Sequence, residues 1–193
     1  LGGVFTHLSG GGSSKVYGRN AARVSLDGRP DRSWNPELSG SVQAVGVSEA
    51  NGAFYAGGHF TRAHGSERAW YAAKFSTQPG AAQDFEFNFE PSTVSAGKYQ
   101  QTIATAGNRV YIGGSLFGYD TGTNSRTSGT LTMSMGGDMQ ASAISSKNVI
   151  YGSCHCSDGA YQDKYDWAVS DRWSRIDEIK WVGAWDATTG ENL

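Results

Sequence analysis

The sequence predicts an all-β chain built as an array of repeated four-stranded units. Three observations carry this: a glycine-rich stretch that recurs, hairpin patterns at fixed distances from it, and a composition that favours strands and turns. The best copy of the stretch is Tyr55-Ala56-Gly57-Gly58-His59-Phe60-Thr61. The chain opens with Leu1-Gly2-Gly3-Val4-Phe5-Thr6 and later gives Tyr111-Ile112-Gly113-Gly114-Ser115-Leu116-Phe117. A worn fourth copy is Tyr151-Gly152-Ser153-Cys154-His155-Cys156. The second glycines fall at 3, 58 and 114, steps of 55 and 56 residues, and the step to Ser153 is 39. Self-similarity at such a period marks a repeat architecture.

Composition agrees. The 193 residues include 27 glycines and only 4 prolines, with 12% aromatic and 18% charged. Glycine and aromatics with little Lys or Glu disfavour long helices and suit short strands joined by tight turns. The length suits one domain, residues 1–193, with a real core. A net charge of −2 leaves no basic footprint for nucleic acid. No apolar run reaches the roughly 18 residues of a membrane span, and no basic-then-apolar leader opens the chain. Because Leu1 lies inside a repeat and Leu193 follows a strand-like run, a segment of a longer protein is expected.

Each unit begins with an alternating run that carries a glutamine: Ser41–Val47, Gln101–Thr105 and Gln140–Ile144. Every second residue there is small or apolar, the period of a half-buried strand. Turns follow at Glu49–Gly52, Ala106–Asn108 and Ser145–Asn148, whose Asn and Gly reach left-handed dihedrals cheaply. The glycine stretch is then the second strand. Alignment on Gly57, Gly113 and Gly152 places these 14, 12 and 12 residues after the glutamine. Third strands are expected at Ala21–Ser25, Ala72–Ser76, Gly129–Met133 and Gly183–Ala187.

Units close with turn-rich segments in which an acid precedes an aromatic by three: Asp31 before Trp34, Asp84 before Phe87. An aspartate there closes a turn onto its own backbone while the aromatic buries against the next unit. Four strands per unit in a radial or stacked array is the pattern of a β-propeller-like array of four-stranded blades. About four units result: 1–38 (partial), 39–96, 97–137 and 138–193 (incomplete). The expected form is an arc or part of a larger propeller.

The longest irregular stretch, 157–180, holds Tyr161, Tyr165, Trp167 and Trp173 among many Asp and Arg residues. Loops beyond about 15 residues are uncommon in compact domains and are often functional. Trp173–Asp177 does not alternate, so a helical piece is allowed there. Aromatics with acids and arginines match a sugar- or protein-binding surface, and Tyr161, Tyr165, Trp167 and Trp173 are its candidate residues. The competing reading is that these rings fasten the loop to its own blades.

Catalytic and metal chemistry is weakly supported. Cys154-His155-Cys156 places both thiols on one side of a strand and the imidazole on the other, which spoils a shared zinc. Two buried, packed free thiols without metal are expected, with a Cys154–Cys156 disulfide as the alternative. His7, His59, His64 and His155 read as surface or turn histidines. The carboxylates Asp158, Asp163, Asp166, Asp171 and Asp177 read as a solvated loop rather than the acid pair of a glycosidase. Ser9–Ser14 lacks the Gly-Lys-Ser end of a phosphate loop and reads as a hairpin tip. No catalytic residues and no cofactor are expected.

The Gly-Gly-x-Phe-Thr stretches, with Asn20–Arg23 and Leu26–Pro36, resemble bacterial β-propeller repeats of the delta-sixty type, best over residues 1–75. Val149–Cys156 and Lys180–Asp186 are similar to propeller-bearing minor tail proteins of actinobacteria-infecting phages and to related actinobacterial surface proteins. The resemblance implies a noncatalytic structural and adhesive module of a virion tail. Its partners would be other tail proteins, copies of itself, or host cell-wall glycan, with no nucleic acid and no membrane insertion. It leaves two further readings: a secreted actinobacterial domain that binds cell-wall glycan, and a propeller glycoside hydrolase.

Overall fold

A computed structural model describes residues 1–64, 69–78, 82–83, 101–113, 117–123, 125–126, 131–133, 139–156, 159–162, 175–189 and 191–193. Among them the regular structure is all strand, with no helix. A short hairpin comes first, β1 (His7–Leu8) with β2 (Val16–Tyr17), and the glycine run forms its tip, Gly11 and Gly12 both at positive φ. Next come β3 (Val42–Ser48), β4 (Ala53–Gly58), β5 (Ala72–Ser76) and β6 (Ala82–Gln83), which pair in order as an antiparallel meander. A second meander follows: β7 (Thr102–Ala106), β8 (Arg109–Gly113), β9 (Phe117–Asp120) and β10 (Ser125–Arg126).

The remaining strands form two three-stranded sheets. They are β11 (Leu131–Met133), β12 (Met139–Ile144), β13 (Val149–Cys154), β14 (Ala160–Gln162), β15 (Arg175–Asp177) and β16 (Val182–Asp186). One sheet has the order β12-β13-β16 and the other β11-β14-β15.

The three expected first hairpins form as read, with ends shifted by a residue or two. Their turns use the left-handed positions expected of them: Gly52, Gly107 and Asn148 all have φ between 54° and 60°. The bond that closes each of these three units also repeats. The residue just past the third strand donates its N–H to the hairpin turn: Thr77 to Gly52, Thr121 to Asn108 and Ala187 to Asn148, at 2.8–2.9 Å.

Some sequence expectations are corrected. Gly129–Met133 is not the third strand of its unit. Phe117–Asp120 takes that place beside β8, and Leu131–Met133 pairs instead with β14. A run of three apolar or β-branched residues suits any open edge, so its local pattern did not name its partner. Ala21–Ser25 is not a continuous strand and makes only isolated bridges, Gly2 to Ala21 and Val24 to Pro30. The stretch allowed to be helical contains strand at Arg175–Asp177.

The alignment of the fourth copy shifts by one. Tyr151 lies opposite Ala143 and Ala184, as Tyr55 lies opposite Gly46 and Lys74 and Tyr111 opposite Ala104 and Gly118. The tyrosines are therefore equivalent, and Ser153 rather than Gly152 stands at the first-glycine position. A bulge supports this register: the β3–β4 pairing slips between Val42 and Ala44, and the β12–β13 pairing between Met139 and Ala141, each at the glutamine.

Packing follows the repeat. β3 lies against β7, and β7 against β12. Each junction between units has its own apolar cluster. Ala21, Trp34 and Leu38 of the first unit meet Phe54, Phe60 and Phe75 of the β3–β6 sheet. Ala53, Tyr55 and Ala72 on the far face of that sheet meet Ile103, Val110, Ile112 and Tyr119. Ala104 and Tyr111 then meet Met139, Ile150 and Trp185. Gly46 keeps β3 and β7 close, since a Cβ there would press on Ile103 and Thr105.

Candidate functional site

Of the four aromatics proposed from sequence, Tyr161 is described; Tyr165, Trp167 and Trp173 lie outside the described residues. Tyr161 sits on β14, the middle strand of its sheet, opposite Thr132 on one side and Ile176 on the other. It is half-buried, whereas Ile176 is 45% exposed. A Cβ added at Gly159 would stand 3.9 Å from Tyr161 Cε2, an ordinary contact.

This sheet is bound to the main body rather than loosely attached. Ala160 and Ile179 are buried in the same cluster as Met139, Ile150 and Trp185. Asp177 is buried at 6% exposure and accepts hydrogen bonds from Arg175 Nε at 2.6 Å and from the Trp185 indole N–H at 3.2 Å. A buried carboxylate is tolerable only when paired and hydrogen-bonded, and Arg175 and Trp185 supply both needs. Within the proposed surface, then, Asp177 is a fastening and not a solvated loop acid.

The cysteine expectation is corrected. Cys154 and Cys156 are joined in a disulfide with Cα atoms 5.2 Å apart, so the two sulfurs are not free thiols. Their burial is as expected, at 4% and 1% exposure. Strand alternation brings the two sulfurs to one side, and apolar packing holds them there. The same segment carries a backbone clamp: Cys154 N–H donates to the Trp181 carbonyl at 2.8 Å, and Trp181 N–H donates to the Cys156 carbonyl at 3.0 Å. Trp181 itself is in the left-handed region at φ 66° and is 59% exposed.

The histidines lie at the surface. His7 meets Thr6 Oγ1 at 3.0 Å and stands edge-on to Tyr17, and His64 lies 3.4 Å from Glu37.

The Asp31–Trp34 turn forms as expected. Asp31 Oδ1 accepts from Ser33 N–H at 2.7 Å and from the Ser33 hydroxyl at 2.6 Å. The Ser33 hydroxyl bond and the Arg23 guanidinium hold the Asp31 carboxyl down to about 2. Trp34 packs edge-on against Phe54 at 5.1 Å and donates its indole N–H to the Ser76 carbonyl at 3.0 Å. Its counterpart, Asp84 to Phe87, lies outside the described residues.

Beside Trp34 opens a mostly apolar cleft of about 340 Å³ between the first and second units, lined by Leu1, Val24, Val45, Val47, Phe54 and Trp34 among others. None of the sequence-proposed residues lines it. At the next junction the equivalent space over Ile103 and Thr105 is filled by Gly46 of β3. The alternation of Val45 and Val47 with Ala44 and Gly46 was a signal for it, since it puts the large apolar residues of β3 on the face turned to the first unit. The cleft can take apolar side chains or an extended segment of small residues.

Sequence reading also missed a pair of aspartates. Asp120 and Asp186 end equivalent third strands. Each uses Oδ1 to accept two backbone N–H bonds, from Gly122 and Thr123 and from Thr188 and Thr189, at 2.7–3.0 Å. Those bonds lower both carboxyl pKa values. The parallel of Tyr119-Asp120 with Trp185-Asp186 was the available signal.

Comparison of the sequence with models of known families and with curated proteins finds no match.

Proposed function

We propose that this chain is a noncatalytic structural and adhesive module of a phage tail, built on a propeller-like array of blades. The single observation that supports it most is the repeated junction. The three larger sheets in succession meet through the same elements: second-strand side chains of one sheet against the first and second strands of the next. Such quasi-one-dimensional stacking is the mechanics of a scaffold whose surface is held rigid for contact. The assignment to a tail rests on the resemblance of Val149–Cys156 and Lys180–Asp186 to propeller-bearing minor tail proteins.

The test is direct. Antibody raised against the purified chain is applied to intact actinobacteria-infecting virions whose genome encodes it, with electron microscopy of the label. Label at the tail tip is expected. In parallel, the chain is incubated with purified actinobacterial cell walls and the pelleted fraction measured. Unlabelled virions together with saturable cell-wall binding would replace the tail reading with that of a secreted glycan-binding domain. Release of reducing sugar from those walls would overturn the noncatalytic reading.

A further inference from the structure

The β12–β13–β16 sheet has two faces, and they differ. One face, with Met139, Ile150 and Trp185, is buried against the preceding sheet. The other carries Ala141, Ala143, Val149, Tyr151, Ser153, Val182 and Ala184, which the pairing register places side by side. On it Tyr151 is 49% exposed and Val182 is 61% exposed. The same face of the β3–β6 sheet is buried under the next unit, with Tyr55, Ala53 and Ala72 at 0–1% exposure. That of the β7–β10 sheet is likewise covered, with Tyr111 at 2%.

What covers those faces is specific. The Tyr111 hydroxyl donates to the carbonyl of Ala187, the residue just past the third strand of the next unit, and Arg109 donates to the same carbonyl at 3.3 Å. Tyr55 lies beside Thr121, the residue at the equivalent place one unit earlier. At the first junction, Arg23 donates to the carbonyl of Thr77, again the equivalent residue. Tyr151 is the third tyrosine of this series. The matching acceptor position in the first unit is Leu26, five residues beyond Ala21, as Thr77 is five beyond Ala72. Leu26 is fully exposed.

We propose that the Tyr151 face docks a second copy of this chain, whose first unit takes the place of the next blade and whose Leu26 carbonyl accepts from the Tyr151 hydroxyl. The occupant is chosen by the chain itself: the face repeats a junction already made within it, and the first unit carries the exposed acceptor position. The contact is heterologous, head to tail, so association propagates until a ring closes or a filament grows. The inference rests on the equivalence of the units and not on the tail assignment, so failure of one leaves the other standing.

The purified 193-residue chain is followed by sedimentation velocity over rising concentration. Concentration-dependent species larger than a dimer are expected. Tyr151→Asp spoils the donor face, and Leu26→Asp spoils the acceptor face at a position whose side chain packs on nothing. Each variant alone is expected to associate about thirtyfold more weakly, the typical loss of an interface anchor. Circular dichroism checks that both stay folded. Mixed together, the two variants retain one good face each and should form a one-to-one dimer that grows no further. A wild-type chain that stays monomeric up to about 100 μM, well above ordinary micromolar association, overturns the proposal. So does a mixture that stays monomeric, or a folded Leu26→Asp variant that associates as wild type does.

Discussion

The first and second units carry nearly the same words and make different structures. Gly2-Gly3-Val4-Phe5-Thr6 and Gly57-Gly58-His59-Phe60-Thr61 match at every position but one. In the second unit the glycines end β4, flanked by β3 and β5. In the first, Gly2 makes one isolated bridge to Ala21, and the Gly3 carbonyl accepts from Val42 N–H of the neighbouring unit at 3.1 Å. Phe60 is completely buried, while Phe5 is only half-buried. The repeat sequence supplies the propensity, and a flanking strand turns it into a sheet. A strand is stabilised by cross-strand pairs and face packing, and both are contributed by other segments.

The two units should differ most at the phenylalanines. Phe60→Ala should destabilise the chain by about 3–5 kcal/mol, the range for deleting a buried phenylalanine. Phe5→Ala should cost about 1 kcal/mol or less, as for a partly exposed site. Urea unfolding of both variants checks this, and equal losses would mean that the first unit is as tightly packed as the second.

The glycines give the next largest effect. A Cβ on Gly58 would press on the Ser41 carbonyl oxygen and lie 3.0 Å from Val42 Cα, both backbone and unable to yield cheaply. Gly58→Ala should therefore cost about 1–3 kcal/mol, as overpacking does. At Gly3 the nearest atom is 3.5 Å away on the Phe5 ring, an ordinary contact. Gly3→Ala should change the midpoint little. A Gly3→Ala variant as damaged as Gly58→Ala would show that an unseen neighbour crowds the first unit too.

The smallest expected effect is a pH dependence at the turn that joins the two units. Asp31 is held down to about 2 by Ser33 and Arg23, below the roughly 3.9 of a free aspartate. Its contribution to stability is thus complete above about pH 4 and is lost as pH falls toward about 2. Asp31→Asn should be less stable than wild type at neutral pH, and the gap should close on acidification. Unfolding midpoints at pH 7 and pH 2.5 test this; a gap that stays constant would show that the carboxylate charge does not matter.

Features decided by neighbouring residues were legible in the sequence. It announced the hairpins, because small and apolar residues alternate between turns rich in Asn and Gly. It announced the Asp31–Trp34 turn, because a short acid bonds the backbone two residues on. It announced Gly58 of β4, where a crowded backbone approach leaves no room for a side chain. Which strand lies beside which depends on packing between distant segments. Leu131–Met133 went to β14, and Phe117–Asp120 took the place beside β8. Tyr151, not Gly152, set the register of the fourth copy, since period-two strands look alike under a one-residue slip until one face is buried. The Cys154–Cys156 bond belongs with these, because the pattern brought both sulfurs to one side, and packing with Met139, Ile150 and Trp185 settled how they meet.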